Sequence, residues 1–277
     1  MKADCHIHMV LDGVDWRASI QRHSLQPDEV RIRQVLSHYR SLGYTYLRDG
    51  GDRWGAGAMA RSLAPEYGII YRTPLAPLCK QGHYGGFIGT RYCSMAEYAG
   101  LVTNAKANGC DFIKIMISGL MDFDRYGILS EPGLAPSQIR ELIHIAHQEG
   151  LSVMAHANGA RTVEAAAAAG VDSVEHGAYL DTDALAAMTE AKTVWVPTLS
   201  TIGNLRGTGR FNESAVAQIL DSTLEAVSQY NGLIAPGTDA GAWAVPHGSD
   251  TERPLLAQAG ISDARLEQGI RAIQEKF

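Results

Sequence analysis

Two histidines stand one residue apart in the short apolar run Ala3-Asp4-Cys5-His6-Ile7-His8-Met9. In a β-strand alternate side chains share a face, so His6 and His8 would present two imidazoles side by side, a ready pair of ligands for a divalent metal ion. In a chain with 10 histidines the pair alone is weak evidence, because two close imidazoles also occur in cores and on surfaces. Further groups suited to the same chemistry lie far downstream. They are Lys114 in Ile113-Lys114-Ile115, His156 in Ala155-His156-Ala157-Asn158-Gly159, His176 in Glu175-His176-Gly177 and Asp239 in Gly237-Thr238-Asp239-Ala240-Gly241. Imidazole and carboxylate ligands without thiolate suit zinc, but also manganese, cobalt, nickel or iron.

Residues so far apart in sequence can share a site only if the fold brings them to one place. Short runs rich in β-branched and aromatic residues alternate along the chain with longer segments of helical spacing. The strand candidates are residues 3–8, 44–49, 68–73, 111–117, 151–156, 172–176, 193–198 and 233–239. Gly43, Gly109, Gly150 and Gly170 each follow an apolar-periodic segment and precede the next strand, as helix stops do. Eight strands, each followed by a helix, in 277 residues predict an α/β protein of the (β/α)8 TIM-barrel type, with a doubly wound open sheet as the alternative. A barrel places its active site at the carboxyl ends of the strands. His6 and His8 end the first candidate strand, Lys114 lies in the fourth, and His156, His176 and Asp239 end the fifth, sixth and eighth.

Composition is consistent with a single domain over residues 1–277, since a chain with 45% hydrophobic residues can bury a large core. The net charge of -6 comes without a long basic run, which argues against nucleic acid or an anionic membrane surface as partner and for a small-molecule substrate. Cys5, Cys79, Cys93 and Cys110 lack the paired spacing of thiolate metal sites or redox motifs, so reduced thiols in the cytoplasm are expected. Neither a leader segment nor an apolar run of about 18 residues is evident. The run Ala165 to Ala169 reads as a helix packed closely on the sheet, and Gly203 to Gly209 as a mobile loop over the barrel mouth rather than a phosphate loop.

The ordered set His6-x-His8, Lys114, His156, His176 and Asp239 resembles the amidohydrolase superfamily of metal-dependent hydrolases. Its local contexts look most like the branch that contains prolidase-like and imidazolonepropionase-like enzymes. The resemblance implies two divalent metal ions, usually zinc. His6, His8 and Asp239 would serve one ion, His156 and His176 the other, and Lys114 would bridge both as an N6-carboxylated lysine. A lysine carbamate is an anion with two oxygens, whereas an ammonium would be repelled by the cations. The implied mechanism is attack by a metal-bridging hydroxide on a polarised carbonyl, with Asp239 carrying its proton to the leaving nitrogen. The summed formal charge of such a centre, about +1, favours substrates with a neutral or anionic end.

Three further residues are candidate substrate contacts. His83 in Gln81-Gly82-His83-Tyr84-Gly85 resembles a Gly-His motif of prolidase-like relatives, with Gln81 where they often carry glycine. His247 in Pro246-His247-Gly248 also resembles family sequence, and Arg125, in the loop after the fourth strand, could pair with a substrate carboxylate. His144, His147, His23 and His38 read as surface or packing residues. Longer relatives carry a small β-sandwich built from both termini, for which this chain has no residues. The barrel would then be closed by helices over residues 27–42 and 261–277 or by another subunit, making homo-oligomerisation a further expectation.

The reading that follows is hydrolysis of a carbon–nitrogen bond in a dipeptide, an N-acyl amino acid or a cyclic amide. The alternatives are a lactonase or phosphoesterase using the same centre, and a metal-dependent lyase or binding protein that keeps the fold without hydrolysis.

Overall fold

A computed structural model describes residues 2–277. The strands are β1 (Lys2–Ile7), β2 (Tyr44–Asp49), β3 (Ile70–Arg72), β4 (Leu78–Lys80), β5 (Thr90–Tyr92), β6 (Ile113–Met116), β7 (Val153–Ala157), β8 (Ser173–His176) and β9 (Val194–Val196). The helices are α1 (Trp16–His23), α2 (Glu29–Ser41), α3 (Ala56–Leu63), α4 (Met95–Ala107), α5 (Pro136–Gln148), α6 (Ala160–Ala168), α7 (Thr182–Glu190), α8 (Ser200–Gly203), α9 (Glu213–Gln229), α10 (Glu252–Gln258) and α11 (Asp263–Lys276). All strand pairs are parallel, in the orders β1-β2-β3 and β5-β4-β6-β7-β8-β9.

The chain folds as an α/β TIM barrel, and two local departures from regular pairing explain why its ladder is interrupted. The third barrel strand is split. β3 pairs with β2 and β4 with β6, and between them Pro74 and Pro77 withhold two amide donors while Leu75 adopts a positive φ of 67°. The gap is bridged by Asp111, whose amide donates to Thr73 O at 3.0 Å and whose carboxylate accepts from Thr73 N at 2.8 Å.

The predicted eighth strand over residues 233–239 forms no regular ladder and joins the ring through isolated bridges, Trp195 with Ile234 and Ile7 with Ala240. Its backbone still bonds both neighbours. Cys5 N donates to Pro236 O at 2.9 Å, Asp239 N to His6 O at 2.8 Å, and Ala235 N to Trp195 O at 2.9 Å. Gly237 permits this approach, because a Cβ there would lie 2.9 Å from His6 N and 2.5 Å from Val196 Cγ1.

Helices surround the strands and bury their apolar faces, with Ile139, Leu142, Ile143 and Ala146 of α5 and Val163, Ala166 and Ala167 of α6 in one continuous core. Ala166 and Ala167 lie on the close-packing face of α6, in keeping with their small side chains, while Ala168 is exposed. A separate cluster closes the opposite end of the barrel from the site, where Ile270, Ile273 and Phe277 pack on Ala3, Tyr46, Phe112 and Val194. Helix α11 and Phe277 supply this packing, whereas α2, the other helix expected to close the barrel, packs through Ile32, Val35, Leu36 and Tyr39 in a different cluster with Ile7, Tyr44 and Leu47. No described helix is long and apolar enough to cross a membrane.

Candidate metal centre

The strands deliver six polar side chains to one rim, and all six line a cavity of about 590 Å³: His6, His8, Lys114, His156, His176 and Asp239. His6, His8 and Asp239 offer ligand atoms within 4.8 Å of one another. Asp239 Oδ1 lies 3.3 Å from His8 Nε2 and 3.5 Å from His6 Nε2. Donor atoms about 2.0–2.2 Å from one tetrahedral ion sit roughly 3.4 Å apart, so these separations fit a shared cation. The other imidazoles are close by, with His156 and His176 ring centroids 4.6 Å apart and His6 and His176 5.2 Å apart.

Several atoms here have nothing to bond within the protein. His6 Nε2, Lys114 Nζ and Asp239 Oδ1 are buried without a hydrogen-bond partner among the described residues. Buried polar atoms of native proteins are nearly always satisfied, and a cluster of orphans around one cavity is what a bound ion would satisfy. Electrostatics point the same way. Burial, then the charge of Lys114, pushes His8 and His156 down to about 3, and burial holds His6 and His176 well below the ordinary imidazole range. Four neutral imidazoles with free lone pairs are the ligand form. Burial raises the Asp239 carboxyl and lowers the Lys114 amine, shifts that a divalent cation would oppose at the carboxylate.

Second partners fix how the rings present themselves. Glu175 Oε2 lies 2.8 Å from His6 Nδ1, and its Oε1 accepts from Arg48 at 2.8 Å and from Ser173 Oγ at 2.6 Å. A carboxylate only accepts, so the His6 proton sits on Nδ1 and Nε2 is free to ligate. His176 Nδ1 lies 2.7 Å from Thr198 Oγ1, and His156 Nε2 lies 3.2 Å from Gly119 O. Three residues at this rim, His176, Thr198 and Asp239, have φ of 67°, 50° and 57°, a left-handed backbone that costs non-glycine residues energy and clusters at functional sites.

The three further candidates lie elsewhere. His247 is buried between α2 and the segment after β1, with Nε2 at 2.9 Å from Leu11 O and Nδ1 at 3.2 Å from Tyr39 Oη, so neither nitrogen is available to a substrate. His83 turns towards Glu131 at 3.6 Å, while its neighbour Tyr84 lines the cavity and stacks over His156 with centroids 4.8 Å apart. Arg125 has a side chain 71% exposed and donates to Asp122 at 2.7 Å. Of the two partners it is Asp122 that lines the cavity. His147, expected to be a surface residue, pairs with Asp172 at 2.9 Å.

Several residues that matter here were not singled out by their sequence context. Glu175 and Arg48 are fully buried and orient His6, and the signal available for them was charge inside otherwise apolar strands. Trp16, Phe87, Phe123, Phe211 and Trp243 build the cavity wall, and Arg210 joins them. The loop after β9 reaches the mouth through Leu205, Arg210 and Phe211, and Asn212 N donates to Asp124 Oδ1 across it at 2.8 Å.

The sequence profile described as Amidohydrolase family matches residues 59–249, a stretch that contains Lys114, His156, His176 and Asp239. The chain is similar to ochratoxinase of Aspergillus niger, with 26% identity over 275 aligned positions that cover 84% of this chain and 55% of the relative. It therefore spans about half the length of the curated relatives it matches. Among solved structures it is similar to a Xaa-Pro dipeptidase with bound methionine, at a TM-score of 0.79 and 20% identity over 99% of this chain and 75% of the other. It is also similar to a protein described as an amidohydrolase, at a TM-score of 0.80 and 22% identity over 99% and 74%. These structural likenesses show the shared barrel.

Proposed function

The chain belongs to the amidohydrolase family, and from that premise we propose that it is a metal-dependent hydrolase of a carbon–nitrogen bond in a small molecule. Dipeptides, N-acyl amino acids and cyclic amides are the substrates in view. One observation carries the reading. Unpartnered His6 Nε2, Lys114 Nζ and Asp239 Oδ1 meet at the floor of a cavity whose remaining walls are largely apolar.

In this reading His6, His8 and Asp239 hold one divalent ion, and His156 and His176 hold a second. The second pair has no third ligand of its own, and the group beside it is Lys114, whose buried amine makes no hydrogen bond. An uncharged amine adds carbon dioxide by forming an N–C bond and releasing a proton. The product is a carbamate anion whose two oxygens can serve both ions. When bound, zinc or a similar ion would polarise the scissile carbonyl and bring the pKa of water from 15.7 towards about 7.

The chain's own residues supply the proton transfer and the exclusion of solvent. In this reading Asp239 accepts a proton from the attacking water and returns it to the departing nitrogen, which leaves as a neutral amine. Glu175 keeps His6 in one tautomer through both steps. The aromatic wall keeps bulk water from the developing charge and strengthens the local electrostatics.

Metal analysis of carefully prepared protein should return about two ions per chain, and a panel of dipeptides and N-acyl amino acids should release free amine. D239N should remain folded and metal-bearing while turnover falls about 10²–10⁴-fold. Protein devoid of tightly held metal, or D239N with near wild-type turnover, would refute the proposal.

A further inference from the structure

Among the described residues the cavity is lined by one lysine and one arginine, Lys114, which becomes a carbamate in the reading above, and Arg210, which is left as the one cationic side chain of the lining. The Arg210 guanidinium sits over the indole of Trp243, its carbon 3.9 Å from the ring centroid, and is 5.5 Å from the Phe211 ring centroid. Among the described residues its guanidinium makes no hydrogen bond or ion pair, and the hydrogen bond this residue donates comes from its backbone amide, to Thr208. The acids on the facing rim make other contacts. Asp122 accepts from Arg125 and from Asp124 N, and Asp124 accepts from Asn212 N.

Contact with the indole face restrains the guanidinium without using its N–H groups, and those groups match a carboxylate in a two-point hydrogen bond. Phe123, Phe211 and Trp243 surround the same position with apolar surface. A ligand reaching both Arg210 and the floor must therefore offer an anion and a large apolar group together.

We propose that Arg210 is a specificity-determining residue that selects amides bearing a carboxylate next to a bulky apolar or aromatic group, the chemistry of an N-acyl aromatic amino acid. This rests on the hydrolase reading above and names the substrate class of that site.

Calorimetric titration of the metal-loaded protein with N-tosylphenylalanine, whose sulfonamide resists such hydrolysis, and with its neutral carboxamide tests the proposal without turnover. Wild type should bind the acid about tenfold more tightly than the carboxamide. R210M should reduce that ratio to about twofold or less, and R210K should fall between, because a lysine offers charge without the planar fork. An undiminished ratio in R210M would assign the carboxylate to the metals and overturn the proposal. So would equal affinity of wild type for both compounds, or binding of neither. Hydrolysis of N-acetylphenylalanine and its carboxamide, followed in parallel, separates the two readings. Intact calorimetric selectivity in a protein that cleaves no amide would sink the hydrolase assignment and leave the selectivity standing.

Discussion

At the scale of single residues, the site depends on which nitrogen of each imidazole carries the proton. Glu175 settles this for His6 because its Oε1 is already occupied by two donors, Arg48 and Ser173, so its Oε2 faces the ring. E175Q changes one atom and makes a sharp prediction. The single amide oxygen must stay with Arg48 and Ser173, which turns the amide NH2 towards His6 Nδ1 and forces the ring proton onto Nε2, where the ion should be. Metal affinity, measured by competition with a chromophoric chelator, should fall about 10–100-fold while the circular dichroism spectrum is retained. Unchanged affinity would show that Glu175 merely fills the barrel interior. The metal-ligating candidates were legible because each sits in a short strand-end motif whose face is set by the two-residue period of a strand. Glu175 and Arg48 were not, since nothing in sequence says that a strand carboxylate and a guanidinium from β2 point into the same barrel interior.

At the scale of elements, the position of each barrel strand was legible from its short apolar run, and what was not legible was how proline and glycine break the ladder within the third and eighth. The segment over 68–73 was read as the whole third strand although its continuation, Leu78–Lys80, follows the break at Pro74 and Pro77. The loops were less legible still, because they have no period: His83 and Tyr84 are adjacent, and only the fold decides that Tyr84 lines the cavity. Helix α10 shows how an element that lines no part of the cavity supports the rim. Its buried Glu252 accepts from Leu199 N, Ser200 N and Ser200 Oγ at 3.1, 2.8 and 2.9 Å, tying down the turn that follows Thr198, the partner of His176. Burial pushes the Glu252 carboxyl up to about 8 from 4.5. Between those values the folded state holds a proton that the unfolded state has lost, so this group's contribution is full below pH 4.5 and declines as pH rises through 8. Urea unfolding of wild type at pH 6 and pH 9 should show that decline, and E252Q, which cannot ionise, should show less of it. An identical pH dependence in the two proteins would remove Glu252 as its source.

At the scale of the whole molecule, the barrel keeps stability and chemistry at opposite ends. Phe277, Ile270 and Ile273 seal one end with apolar packing, while the other gathers charged and orphaned groups that cost free energy unless an ion is bound. Lys114 is the clearest instance, an amine 1% exposed with no hydrogen bond. Metal removal by a chelator should therefore lower Tm. An ion present at about 1,000 times its Kd contributes about 4 kcal/mol, which for a domain of this size corresponds to roughly 8–16 °C. The same reasoning separates the two jobs of Lys114. K114M keeps the length of the side chain and removes the unsatisfied amine, so the metal-free variant should melt higher than metal-free wild type, as happens when a functional residue is exchanged for a packing one. It should also lose most of the rise in Tm that zinc gives wild type, because no carbamate can form. Thermal melts of both proteins with chelator and with zinc decide the matter. A K114M that is no more stable without metal would show that the amine is not a burden on the fold, and one that keeps the full zinc-dependent rise would show that Lys114 takes no part in holding the ions.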